Sequence, residues 1–227
     1  RNESSKYLKE VLERLKQQVD KIVFTDDCSE DDTAEIAALY AHVYVNEEPL
    51  FTVNEGALRA KAWSNLEQHA QEGDWIIAID CDEMLYDAKD INTVSVKHVL
   101  DQSPYDVVNV RFYHMWNDTQ YRVDKLWAPN NSSRIFRFKN GGKFLDRKLA
   151  CGSEPTYVVE DIRRRNYWVH SGLVMQHLGY TRDIDKELKH NNLTSANSIN
   201  IARWLPQMFY FFFAYKTLKK QNKPFVI

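Results

Sequence analysis

Asp80, Asp82 and Glu83 put three acids within four positions, directly behind the apolar run Trp75 to Ile79. Carboxylates this close repel one another, and burying any of them unpaired is costly. Alternate residues of an extended chain point the same way, so Asp80 and Asp82 can face one pocket while Cys81 turns back into the fold. Two hard oxygen donors with open coordination positions suit Mg²⁺ or Mn²⁺ shared with substrate phosphates, the cation offsetting the repulsion. The competing reading is a set of solvated acids capping a turn. A second acidic pair, Asp26-Asp27, closes the apolar stretch Lys21 to Thr25.

The elements that must position these acids can be read from periodicity. Residues 3–19 place Leu8, Val11, Leu12, Leu15 and Val19 on one helical face. Strands are expected at 21–25 and, centrally, at Trp75 to Asp80, with shorter ones at AHVYV and PLFTV. Helices are expected after Ser29-Asp32, over 55–71 and over 93–101. Strands follow at 105–113 and 133–138, with a loop between them, and Asn140-Gly141-Gly142 signals a turn that opens a hairpin. Strands alternating with helices predict an α/β fold with a mostly parallel sheet covered on both faces. Ligands bind such sheets beyond the carboxyl ends of the strands, where both acidic clusters fall.

The bulk numbers set limits. The chain has 227 residues, a formal net charge of −2, and three widely spaced cysteines without a CxxC pair. No basic field advertises nucleic acid, and a reducing, cytoplasmic setting is expected over a disulfide framework. Neither GxGxxG nor GxxxxGK[ST] occurs, and no signal peptide or transmembrane run is expected. The aromatic run from Phe209 to Tyr215 suits a core helix or, across 204–220, a peripheral membrane or homo-oligomer contact.

The segment KIVFTDDCSEDDT resembles the VDDGSTDDT-type segment of family 2 glycosyltransferases, and GDWIIAIDCDE resembles their GDWIL-LDADE segment. The opening RNES resembles the end of their first strand, while SRIFRF and QHLGY resemble the R-FR and H-GY landmarks of their second half. The resemblance runs from Arg1 to about His190. It implies a GT-A (Rossmann-like) domain over 1–195, divided into a nucleotide-sugar half (1–113) and a β-rich acceptor half (114–195), followed by a helical tail (196–227). The implied activity is inverting transfer of a sugar from a nucleotide diphosphate, a UDP-sugar first among the donors. The implied acceptor is a saccharide, a lipid-linked group or a protein, within cell-wall or polysaccharide biosynthesis.

Carried over by position, Asp26 would accept from the nucleotide base, with Asn2, Glu3 and Asp27 lining the same pocket. Asp31 would order the turn. Arg59 would neutralise phosphate, Asp80 would lie beside the ribose and diphosphate and help hold the metal, and Asp82 and His177 would complete the metal shell. Arg134 and Arg137 flank Ile135-Phe136 and are both expected on one side of their strand, binding diphosphate or pairing with surface acids. Inversion needs a base for the acceptor hydroxyl. Glu154 holds the place of the family's HE glutamate but follows Cys151-Gly152-Ser153 with no histidine, leaving Asp146 and Asp161 as substitutes. Trp116 and Trp127 offer an acceptor platform or core. The rival readings are a nucleotidyltransferase acting on sugar phosphates and a non-catalytic nucleotide-sugar-binding domain. A haloacid-type phosphatase is weaker, because Met84 stands where its motif wants threonine.

Overall fold

The computed structural model describes residues 1–87, 96–123, 128–149, 151–168, 171–179 and 181–182. The tail 196–227 and Trp127 lie outside the described residues. Helix α1 (Leu8–Lys16) turns Leu8, Val11, Leu12 and Leu15 inward, as the periodicity requires. Strand β1 (Val23–Asp26), helix α2 (Thr33–Ala38) and strand β2 (His42–Val45) follow. β1 and β2 pair in parallel, with Asp26 opposite Val45, so α2 is the crossover between them. Leu8, Leu12 and Ala37 form their shared core with Ile22, Phe24 and Val43. The strand expected at Pro49–Val53 is a turn instead. Its Leu50 and Phe51 amides donate to the Asp27 carboxylate, 2.8 and 2.9 Å away, and so are not free for a ladder.

Helix α3 (Glu55–Leu66) is capped by the Asn54 side chain, which accepts from the Ala57 amide. Strands β3 (Trp75–Ile77) and β4 (Glu83–Asp87) flank the second acidic cluster. Then come α4 (Val96–Asp101), β5 (Val107–Asn117), β6 (Gln120–Tyr121), β7 (Asn130–Arg137), α5 (Thr156–Arg163), β8 (Tyr167–Trp168) and β9 (Leu173–His177). One sheet runs β3-β7-β5-β9-β4, with β6 and β8 also pairing β5.

This sheet corrects two expectations. It is mixed rather than mostly parallel: β5 is parallel to β8 and β9, whereas β3–β7, β5–β7, β5–β6 and β4–β9 are antiparallel. Parallel neighbours need a long crossover, and only Asp118 and Thr119 separate β5 from β6. β3 also lies at the sheet's end, not its centre, among the described residues. Both faces are nevertheless covered. Val107 packs with Trp63 of α3, Phe136, Phe138 and Val158 of α5, while Val108 and Val110 pack with Val96 and Leu100 of α4. Each fully buried aliphatic of this kind contributes about 1.5–3 kcal/mol.

Gly141 and Gly142 make the expected turn, but no strand returns directly from it. A Cβ on Gly142 would meet the Trp63 ring at 2.6 Å, so the glycine is needed for that close approach. The chain then runs irregularly across the start of α3, where a Cβ on Gly56 would overlap the Leu145 carbonyl. The Glu55 and Gly56 amides donate to Lys148 and Arg147 carbonyls at 3.2 and 3.0 Å. That path carries residues 151–155 toward the acids. Between β1 and β3 a cavity of about 1160 Å³ opens, walled by Ile22, Phe24, Ile76 and Ala78 and reached by both acidic clusters.

Candidate active site

The first cluster is held by its own chain. Asp26 is 2% exposed and accepts from the Ser29 amide (2.8 Å) and the Ser29 hydroxyl (2.5 Å). Asp31 accepts from the amides and hydroxyls of Ser4 and Thr33; burial would raise its pKa, but these donors outweigh it and hold the carboxyl at about 2. Its expected role in ordering the turn is what the geometry displays. Asn2 Oδ1 accepts from the Glu30 amide at 2.9 Å, the Glu3 amide donates to Thr33 Oγ1 at 2.8 Å, and the Glu3 carboxylate pairs with Lys6 at 2.7 Å. Asn2, Glu3 and Asp26 are thus gathered around one turn.

Asp27 lies on the same cavity and is tied to the next loop. Its two oxygens accept from Asn46 Nδ2 (3.0 Å) and the amides of Leu50 and Phe51, so it anchors the 46–51 loop. Burial would raise its pKa, and those donors more than reverse the effect.

The second cluster is held by cations. Arg59 Nη1 donates to Asp80 Oδ1 at 2.9 Å and Nη2 lies 3.4 Å from Glu55, whose other oxygen accepts from the Cys151 amide at 3.1 Å. Dense packing would raise the Asp80 pKa, but Arg59, with Arg134 farther off, holds it below the usual value. Asp80 still keeps 38% of its side-chain surface open. Arg59 thus engages one Asp80 oxygen on the wall of the cavity. Glu83 opens β4 at 2% exposure; Oε2 accepts from the Asp80 amide (3.0 Å) and Oε1 from Arg134 Nη2 (2.7 Å). Burial and the Asp80 charge push its carboxyl up to about 7, against the pull of Arg134. Cys81 turns into the core beneath α1 and α2, and burial pushes its thiol up to about 12.

Asp82 faces the other way from Cys81. Its Oδ2 lies 3.3 Å from His177 Nε2, and its carbonyl accepts from the Leu178 amide at 2.7 Å. Strand pairing builds this contact: β4 aligns Glu83 with His177, so the residue before Glu83 meets the imidazole. Behind it, His177 Nδ1 lies 3.0 Å from His114 Nδ1. Among the described residues no group of three or more His, Cys, Asp and Glu could enclose a metal. One carboxylate oxygen beside one imidazole nitrogen does suit an open site whose remaining positions fall to phosphate and water.

Other expected residues lie elsewhere. Arg137 stacks on Trp75, 3.9 Å from the ring centre, and donates to the Gly73 carbonyl at 2.9 Å. Five residue-to-residue steps along β3 and its extension lead from Trp75 to Asp80, roughly 16 Å at strand rise. Arg134 and Arg137 cannot share a face, because an odd separation on a strand puts them on opposite sides. Arg134 is the one that reaches the acids, and it also bonds Ser153, next to Glu154. The half-buried Glu154 therefore sits beside a loop tied to the second cluster. Asp146 is exposed and accepts from Asn54 at 2.5 Å, and Asp161 is buried against Lys139 at 2.7 Å, so neither shares that tie. Trp116 is 4% exposed and belongs to the core, which excludes it as an acceptor platform. Glu55 and His114 join the network without a motif to announce them; only β-pairing reveals His114.

A crossover α/β unit joined to a mixed sheet, with two acidic turns on one cleft, defines a mixed α/β protein of the broad class whose ligands are met beyond strand ends. Residues 1–156 match the family described as Glycosyl transferase family 2. The chain belongs to that family, whose members are glycosyltransferases that take nucleotide sugars and an acceptor. No curated protein matches the chain.

Proposed function

We propose that this protein transfers a sugar from a nucleotide diphosphate sugar, a UDP-sugar foremost, to an acceptor with inversion at the anomeric carbon, assisted by Mn²⁺ or Mg²⁺. The observation that carries the reading is the 3.3 Å pairing of His177 with Asp82, which lines the cleft together with Asp26 and Asp80. Asp82 and His177 would hold the cation, which neutralises the charge growing on the leaving diphosphate. Asp26, both of whose oxygens retain a second lone pair, accepts from the base, and Asn2 and Glu3 line its pocket. Arg59 orients an ionised Asp80 toward the ribose and diphosphate. Glu154 takes the proton of the acceptor hydroxyl as it attacks from the face opposite the nucleotide. Three free thiols suit a reducing compartment, and we place the reaction in the cytoplasm.

A panel of nucleoside diphosphates and their sugars, with and without Mn²⁺, tests this. Metal-dependent binding with donor turnover is expected. Binding without turnover would point to a non-catalytic domain, a reading favoured by the absence of histidine before Glu154. Binding and turnover indifferent to metal would overturn the assignment of Asp82.

A further inference from the structure

The two ring nitrogens of His177 face different partners. Nε2 lies 3.3 Å from Asp82 Oδ2, while Nδ1 lies 3.0 Å from Nδ1 of His114. The two rings meet almost at right angles, 88° between planes with centres 5.1 Å apart, and Phe112 packs against both. His114 is 8% exposed and stands in direct register with His177 across β5 and β9. Sheet pairing and the Phe112 ring therefore fix how the two imidazoles approach each other. Two neutral imidazoles that meet through Nδ1 hold one hydrogen between them, so one ring donates and the other accepts.

We propose that His114 is a positioning residue: it accepts the Nδ1 hydrogen of His177, leaves the Nε2 lone pair directed beside Asp82, and so biases the site toward Mn²⁺ over Mg²⁺. The inference rests on the reading of Asp82 and His177 as the cation's ligands. A histidine ligand almost always donates its second N–H to an acceptor behind it, and loss of that acceptor weakens metal binding by about 10–100-fold. Mg²⁺ dehydrates reluctantly and keeps its waters, whereas Mn²⁺, which shares its preference for carboxylate oxygen, begins the first-row series along which affinity for nitrogen donors rises. A site of one carboxylate and one oriented imidazole thus separates the two cations, and a site of carboxylates alone does not. His114 touches neither cation nor substrate; it acts through His177.

The test is direct cation binding, read without turnover. The full chain saturated with UDP is titrated with Mn²⁺ and, separately, with Mg²⁺, by calorimetry and by the electron paramagnetic resonance of free Mn²⁺. The wild type is expected to bind Mn²⁺ at least tenfold more tightly than Mg²⁺. His114→Ala should weaken Mn²⁺ binding about 10–100-fold and Mg²⁺ binding less than about threefold. His114→Gln, whose amide oxygen can accept the same hydrogen and which leaves a smaller void, should recover most of the Mn²⁺ affinity. Circular dichroism confirms that each variant is folded. If His114→Ala and His114→Gln leave Mn²⁺ binding intact while Asp82→Asn abolishes it, the cation reading stands and the role of His114 falls. Equal weakening of both cations by His114→Ala also overturns the role. If the wild type binds neither cation, the cation reading and this inference fall together.

Discussion

The turn from Asp26 to Asp31 and the turn from Asp80 to Glu83 both leave a short strand, both are crowded with carboxylates, and both border one cavity. Their oxygens are satisfied by different kinds of group. In the first turn the buried acids are met mostly by backbone amides and hydroxyls: Ser29 for Asp26, Leu50 and Phe51 with the Asn46 side-chain amide for Asp27, Ser4 and Thr33 for Asp31, while Arg1 pairs only with the exposed Glu30. In the second, side-chain cations and an imidazole come to the fore: Arg59 on Asp80, Arg134 beside the Asp80 amide on Glu83, His177 beside Asp82. Backbone donors are part of the fold, and no ligand can take their place without undoing the turn. A guanidinium or an imidazole can be shared with a phosphate or a cation. Acid content alone does not tell the two turns apart; the donor type does.

That contrast is sharpest at Asp82 and Asp27. Asp82→Asn keeps the shape and removes the charge, so turnover should drop by about 10²–10³-fold, the scale of losing one preorganised electrostatic contact. The melting temperature should stay within about 2 °C, since a partly open residue is being changed. A large drop in melting temperature with turnover retained would reverse the roles assigned to the two turns. Asp27→Ala should do the opposite. It strands the Asn46 amide and two backbone N–H groups and should cost about 3 kcal/mol, or about 6–12 °C for a chain of this size. Thermal denaturation with and without UDP checks it: the stability loss should appear in both, and the UDP-induced increment should persist. Arg137→Ala removes a guanidinium stacked on Trp75 at the far end of β3 and should cost about 0.5–1 kcal/mol with no change in donor KM. A raised KM would return Arg137 to the phosphate site.

Much of the first half was readable in advance, because local rules govern it. The 3.6-residue period of Leu8, Val11, Leu12 and Leu15 and the apolar runs that end in acid need only their immediate neighbours to be interpreted. What escaped was set by contacts distant in sequence. Pro49–Val53 has strand composition, yet Asp27, more than twenty residues earlier, captures its amides. The edge position of β3 and the antiparallel return of β7 depend on pairings that no periodicity encodes. The separation of Arg134 from Arg137 was legible from strand parity alone, but which of the two reaches the acids is set by the Arg134 contact with Glu83. His114 and Glu55 enter the site only because β5 lies beside β9 and the 151 loop crosses α3.

The smallest effect, and the one that tests the contrast without any ligand, is the pH dependence of stability. Asp31 is held at about 2 in the folded state, below the ordinary 3.8, so its contribution is fully present above pH 3.8 and is lost as pH falls toward 2. Glu83 has the opposite sign. Its folded carboxyl is pushed up to about 7 from an ordinary 4.5, so between those values the native protein binds a proton that the unfolded chain has released. Stability therefore declines as pH rises through that window. Asp80, held below its ordinary value, titrates beneath the window and leaves it undisturbed. Urea midpoints from pH 2.5 to 7.5 for the wild type, Asp31→Asn and Glu83→Gln read both signs. Asp31→Asn should be weaker than wild type at pH 6, with the gap closing by pH 2.5. Glu83→Gln should gain on the wild type between pH 4.5 and 7, because glutamine cannot lose the proton. If the Glu83→Gln gap stays flat across that range, burial and the Asp80 charge together do not raise the Glu83 carboxyl, and the second turn is no more strained than the first.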